Sequence, residues 1–351
     1  VRIQIGGAGG APANNVIRSL RRREPPDHLI GTSSVASDLL LADTDERHVV
    51  PPALAEDYPD RILALLGRTR PDLLIPQHDY EVRAVSRLRD DIHALGVRTY
   101  LPAPDTVEAC VDKFRSWEIW RAAGLPVPRG ALLREPADLA RAVADLGGRV
   151  WIRATTGGGG RGALPTDDLE LATRWIEHHH GWGEFMAAEL LTDRSVTWQS
   201  IWHEGQLVVA QTRLRRRWAF SDRAVSGVTG ITAIGETTSD PVVDRTAQDA
   251  ILAIDRRPHG IFGVDMTYDD DGIPNPTEIN VGRFFTTIHF FTEAGLNMPL
   301  LYRDIALGEP VPALDPKINP LPNGLVWVRG MDVLPVLSTA EDLECLERDD
   351  T

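Results

Sequence analysis

The sequence predicts a mixed chain, α/β at its N-terminus and α+β beyond it, built as more than one compact unit. Three observations carry this. The 351 residues suit two or three domains rather than one. Residues 1–104 alternate short apolar runs with helical patterns, as a small α/β unit does. Beyond Pro102 and Pro104 the strand-like runs follow one another through turns, as antiparallel sheet does.

The elements follow in order. Arg2-Ile3-Gln4-Ile5 runs into Gly6-Gly7-Ala8-Gly9-Gly10, a strand entering a glycine turn, and residues 13–23 read as a helix. The dinucleotide fingerprint G-x-G-x-x-G fails here, because its third glycine falls on Pro12. Leu73–Pro76 and Val97–Tyr100 read as further strands. Asp112 is a plausible N-cap for a helix whose Phe114, Trp117 and Trp120 recur at core spacing, and Gly124, Pro126 and Pro128 end it. Val150-Trp151-Ile152 reads as a strand, with Arg153 at its end. Four consecutive glycines, Gly157 to Gly160, follow, then Arg161 and Gly162. Such a run is costly to order, so it serves either as a tether or as a loop whose backbone must approach a ligand. Residues 186–191 form another strand-like run. Residues 195–202 alternate, Glu204-Gly205 supplies a turn, and Gln206–Gln211 returns. A short apolar strand is expected near Leu325–Val328.

Composition excludes several functions. The formal net charge of −14 argues against non-specific nucleic-acid binding; the run Arg213–Arg217 is a local exception. No apolar run is long enough to span a bilayer and no signal peptide is expected. Cys110 and Cys345 form no metal or disulfide pattern, which fits a reducing cytoplasm. Only Lys113 and Lys317 are lysines, so Lys113 marks a place where a compact ammonium is wanted.

Chemistry concentrates in Gly263–Tyr268, the turn Asp269–Gly272, and Thr277–Arg283. Alternation puts Glu278 and Asn280 on one strand face, with Thr277 and Ile279 on the other. The Asp-Gly turn folds this strand back on the one carrying Asp265, which lies opposite Glu278 or diagonal to it, roughly 5 to 8 Å away. Two carboxylates and an amide oxygen on one face suit a hard cation. Asp269, Asp270 and Asp271 read as turn residues.

Taken in order, Asp112-Lys113, Trp151-Ile152-Arg153 with the glycine run, Ala187–Leu191, Asp265 and Glu278-Ile279-Asn280-Val281-Gly282-Arg283 resemble the ATP-grasp superfamily, in particular its carbamoyl-phosphate-synthase-like branch, over about residues 1–330. The resemblance implies a Rossmann-like pre-ATP-grasp domain (1–104), a small lobe with a glycine lid (105–190), a large lobe with the metal site (191–315) and a C-terminal extension (316–351). It implies that Lys113 and Arg153 hold ATP phosphates under the lid Gly157, Gly158, Gly159 and Gly160. Glu189, Leu190 and Leu191 would recognise adenine. Asp265, Glu278 and Asn280 would bind Mg2+, with Mn2+ as an alternative. Arg283, and Arg213 or Arg215, would stabilise transferred charge, with structural ion pairs as the other reading of the last two. Two departures stand out. Arginine comes three residues after Asn280 instead of two, which a bulge at Gly282 could correct, and the ribose-binding acid is missing where Ser195 or Val196 stands. The implied activity is an ATP-dependent ligase that activates a small-molecule carboxylate as an acyl phosphate for capture by an amine. The alternatives are phosphoryl transfer to another acceptor and a non-catalytic nucleotide binder. The implied partners are small molecules, with a homodimer optional.

Overall fold

The structure is a computed structural model and describes residues 1–160 and 162–348; Arg161 lies outside the described residues. It contains three sheets.

The first sheet is parallel, in the order β3-β2-β1-β4, with β1 Arg2–Gly6, β2 His28–Ser33, β3 Glu46–Val49 and β4 Leu73–Ile75. Ile3 and Ile5 on one face of β1 and Gln4 on the other are fully buried, as parallel strands covered on both faces require. The helix after the glycine turn spans Ala11–Leu20, with Pro12 in its first turn, where a missing N–H costs nothing. The strand expected at Val97–Tyr100 is reduced to one parallel bridge, Arg98 to Leu73. Tyr100 diverts the chain: its hydroxyl donates to Trp202 O, its carbonyl accepts from the Tyr302 hydroxyl at 2.9 Å, and Pro102 and Pro104 cannot continue a ladder.

Asp112 caps the helix Lys113–Ala122, its carboxylate accepting from Phe114 N (2.9 Å) and Arg115 N (3.1 Å). The second sheet follows, in the order β5-β8-β6-β7, with β5 Gly130–Leu133, β6 Val150–Ala154, β7 Leu164–Thr166 and β8 Phe185–Glu189. β6 and β7 are antiparallel neighbours, so the glycine run is the loop of a hairpin. β8 stops at Glu189, two residues before the end of the expected run.

The third sheet has the order β13-β12-β9-β10-β11-β14, all antiparallel: β9 Ser195–His203, β10 Gln206–Trp218, β11 Thr232–Thr238, β12 Gly260–Tyr268, β13 Pro274–Val281 and β14 Val326–Val328. β10 runs seven residues beyond Gln211 and carries the arginine run. Arg216 pairs with Glu236, while Arg213 and Arg215 turn to the other face. The segment after residue 315 is woven into this sheet through an Ala210–Ile318 bridge and the β11–β14 pair. No helix among the described residues is long and apolar enough to cross a membrane.

Two apolar clusters join the parallel unit to the third sheet. One holds Leu74, Val82 and Leu101 against Trp198, Phe262 and Ile279. The other holds Ile3 and Ile5 with Ile261, Phe284 and Tyr302. The second sheet closes its own core, around Leu133, Ile152, Ile176 and Ala187.

Candidate functional site

One row of residues crosses four strands of the third sheet. Glu278 of β13 lies directly opposite Asp265 of β12, Asp265 opposite Thr197 of β9, and Thr197 opposite Arg213 of β10. A register shift follows Asp265, leaving Thr277 unpaired, and its carbonyl accepts from Arg153 Nη2 at 2.7 Å. The Thr197 hydroxyl donates to Asp265 Oδ1, which also accepts from Arg215 Nη2 at 3.1 Å. Asn280 Nδ2 donates to Asp265 Oδ2 at 2.9 Å. Burial pushes the Asp265 carboxyl up, but Arg215, Thr197, Arg213 and Asn280 outweigh it and hold it below the usual carboxylate range.

The cations come from both sides. Lys113 starts the helix capped by Asp112, and its backbone N–H donates to Thr155 O at 2.7 Å, tying that helix to the end of β6. Its ammonium donates to Gly157 O and lies 3.6 Å from Glu278 Oε2. Burial depresses the Lys113 ammonium more than Glu278 restores it. Burial likewise depresses Arg153, whose Nε is buried without a partner. Arg213 is 1% exposed and bonds hydroxyls: Nη1 donates to Thr287 Oγ1 and Nη2 to Thr197 Oγ1, both at 2.7 Å. Burial, then the neighbouring Arg215, push it down to about 9. Arg213 and Arg215 stack on Phe285 and Trp218, at 4.6 and 3.8 Å from the ring centroids.

Arg283 reaches the same place by a turn rather than a bulge. β13 ends at Val281, and Gly282 has φ 69°, a left-handed conformation that favours glycine. A Cβ there would also stand 2.7 Å from Val82 Cγ1. The turn brings Arg283 Nη2 to 2.6 Å from Asn280 Oδ1.

These groups line one cavity of about 630 Å³, which gathers Lys113, Arg153, Gly157–Gly160, Arg213, Arg215, Asp265, Glu278, Asn280 and Arg283. Val228, Thr229 and Gly230, in the β10–β11 connection, close another side. Glu189, Leu190 and Leu191 are absent from the lining. Glu189 Oε2 accepts from Arg129 N at 3.1 Å and Arg129 Nε at 3.4 Å, and Leu190 is exposed. Asp79, Tyr80, Thr197 and Trp218 line the cavity and were missed in the sequence. For Asp79 and Tyr80 a signal existed, since they follow the carboxyl end of a parallel strand, where open α/β sheets place ligands. Among the described residues no group of three or more His, Cys, Asp and Glu gathers to hold a metal, so the candidate set is two carboxylates and an amide.

No family model matches the chain. The β subunit of ADP-forming succinate–CoA ligase from Thioalkalivibrio sulfidiphilus is 33% identical over 86 residues, 24% of this chain and 22% of that one, so the match spans less than a quarter of the relative. Among solved structures, biotin carboxylase from Campylobacter jejuni, solved as its beta-gamma-ATP complex, superposes with a TM-score of 0.69 at 18% identity, over 90% of this chain and 72% of that one. An L-amino acid ligase from Bacillus licheniformis gives 0.64 at 13% identity, over 87% and 74%. At these identities the likeness is one of architecture, and together with the three sheets it establishes that this chain has the ATP-grasp fold.

Proposed function

We propose that the chain is an ATP-dependent ligase that activates a small-molecule carboxylate as an acyl phosphate and passes the acyl group to an amine, releasing ADP and phosphate. One observation carries the reading. A single cavity joins a glycine hairpin loop and two buried cations to an Asp265–Glu278–Asn280 row backed by three arginines. Among the described residues that line the cavity, six cations (Arg83, Lys113, Arg153, Arg213, Arg215, Arg283) meet four carboxylates (Asp79, Glu184, Asp265, Glu278). Buried positive charge in excess is costly unless an anion completes it, and a polyphosphate is such an anion. The fold neighbours fit this reading, one being a biotin carboxylase solved as its beta-gamma-ATP complex and another an L-amino acid ligase.

Lys113 and Arg153 would hold phosphate oxygens from the small-sheet side. The amides of Gly157–Gly160 would close over them as an anion-binding nest. Asp265, Glu278 and Asn280 fit Mg2+, which accepts few protein oxygens and fills its shell with water and phosphate; Mn2+ takes the same donors. When bound, the metal neutralises phosphate charge during transfer. Arg283, with Arg213 and Arg215, would stabilise charge on the transferred group and orient the substrate carboxylate. The adenine edge is assigned to backbone groups of Glu189–Leu191, since Arg129 occupies the Glu189 carboxylate. A cytoplasmic small-molecule enzyme, monomeric or homodimeric, accommodates these assignments.

The test is a screen of carboxylate and amine pairs for ADP release, repeated in hydroxylamine. We expect ADP release that depends on the carboxylate, and a hydroxamate when hydroxylamine replaces the amine. ADP release that never yields hydroxamate would move the reading to another acceptor. No substrate-dependent ADP release with any pair would leave a nucleotide binder.

A further inference from the structure

Arg283 is held by a residue of the parallel sheet's unit. Asp79 follows the carboxyl end of β4 and opens the helix Asp79–Arg87. Its Oδ1 accepts from Arg283 Nε and its Oδ2 from Arg283 Nη2 at 3.1 Å, so the carboxylate grips one edge of the guanidinium in two-point fashion. Nη2 continues to Asn280 Oδ1, and Asn280 Nδ2 continues to Asp265. An unbroken chain, Asp79–Arg283–Asn280–Asp265, therefore runs from the parallel unit into the candidate metal row. Asp79 also meets the glycine loop: a Cβ on Gly158 would lie 2.9 Å from Asp79 Oδ2.

The geometry points to Asp79 as a positioning residue for the phosphoryl-transfer step, acting through Arg283. This rests on the ligase reading above. Arg283 has three nitrogens to offer. Asp79 and Asn280 take Nε and Nη2, and among the described residues no hydrogen bond engages Nη1. That arrangement fixes the plane of the guanidinium and leaves one N–H pair for an oxygen in the cavity. Without Asp79 the guanidinium is free to swing about its long side chain toward the neighbouring carboxylates Asp265 and Glu278. It would then compete with the metal cation for those carboxylates. Asp79 is unsuited to serve as a base itself: although burial pushes its carboxyl up, Arg283 and Lys113 outweigh this and hold it below the usual range. Both its oxygens are also occupied.

The test uses the full chain with a carboxylate and amine pair that supports turnover. Asp79→Asn keeps the shape but turns a donor toward Nη2. Misplacement of a transition-state contact by about 1 Å costs on the order of 100-fold. We therefore expect kcat to fall about 100-fold with the KM for ATP changed less than about threefold, in a variant that still folds but melts at a lower temperature because Arg283 loses its anionic partner. Asp79→Glu restores the charge at a longer reach and should recover part of the loss. On an Arg283→Lys background, Asp79→Asn should cost little more, because the two act as a unit. Wild-type-like kcat in Asp79→Asn overturns the proposal, as does a full multiplicative loss in the double variant. If Asp79→Asn unfolds, Asp79→Glu decides: a raised KM at unchanged kcat overturns the proposal, and a lowered kcat at unchanged KM supports it. Absence of turnover in the wild-type chain itself would instead strike the ligase reading, and the role of Asp79 with it.

Discussion

Glu81 is 4% exposed, two residues beyond Asp79, and packs against Gly6 at the end of β1. Its Oε1 accepts from the Tyr58 hydroxyl at 3.4 Å, while Oε2 is buried without a partner. Burial pushes its carboxyl up from 4.5 to about 7, against weaker opposition from Gln77 N–H and Tyr58. A carboxyl whose folded value exceeds its unfolded one adds stability below the unfolded value and loses it as the pH rises through the folded value. Stability should therefore decline between about pH 4.5 and 7, by on the order of 3 kcal/mol for this group. Glu81→Gln should remove that decline, matching the wild type near pH 4.5 and exceeding it at pH 8. Denaturant midpoints across this range test it, and identical profiles for the two proteins would count against it. Glu278 poses the opposite case. It is partly open to the cavity, opposite Asp265 and 3.6 Å from Lys113. Glu278→Gln should fold normally yet lose Mg2+-dependent turnover, because the amide keeps the shape and discards the anionic ligand. Near-normal rates at ordinary Mg2+ concentrations would sink the metal assignment.

The glycine hairpin loop is held on three sides. Lys113 donates to Gly157 O, Asp79 and Tyr80 press on Gly158 and Gly157, and a Cβ on Gly160 would stand 2.4 Å from Val228 O. Gly160 has φ 70°, so Gly160→Ala meets both backbone strain and a backbone obstacle that cannot rotate away. We expect it to raise the KM for ATP at least about tenfold while shifting the melting temperature little, since the loop adds nothing to the second sheet's core. An unchanged KM would mean that the loop does not close over nucleotide. What could be read from sequence follows the same local logic. The β12–β13 hairpin was legible because an Asp-Gly turn and strict alternation fix which side chains share a face. The Asp112 cap was legible because an Asp stands just before a helix whose Phe114, Trp117 and Trp120 recur at core spacing. β7, three residues long with Pro165 at its centre, carries no strand signal, and Val97–Tyr100 carries one that tertiary contacts override. The position of Asp79 after β4 was open to reading, but its bond to Arg283 was not, because the two lie 204 residues apart and no local pattern encodes such a pair.

At the scale of the molecule, the apolar cores do not follow the sheets one for one. The parallel unit and the third sheet share two clusters, one running from Val50 to Val281 and the other from Ile3 to Leu321. The second sheet has a core of its own, drawn from residues 133–187. It touches the rest through a small patch of Trp117, Met186 and Ala188 and through polar contacts such as Arg153 to Thr277 O. Units that share a core unfold together, whereas one joined mainly by polar and charged contacts opens on its own at lower free energy. Two calorimetric transitions are therefore expected, with hydrogen exchange in residues 130–189 faster than in β1, β9 and β12. A nucleotide gripped between Lys113 and Arg153 on one side and the Asp265 row on the other would bind only the docked arrangement. Mg2+ with a non-hydrolysable ATP analogue should then raise the lower transition by the mass-action amount, about 2.7 kcal/mol at a hundredfold excess over Kd, and slow exchange in residues 130–189 in proportion. Adenosine alone lacks the groups that bridge the two sides and should do neither. A single transition with uniform exchange would show that the second sheet is no separate cooperative unit. Equal stabilisation by adenosine would show that the buried cations support the fold instead of waiting for phosphate.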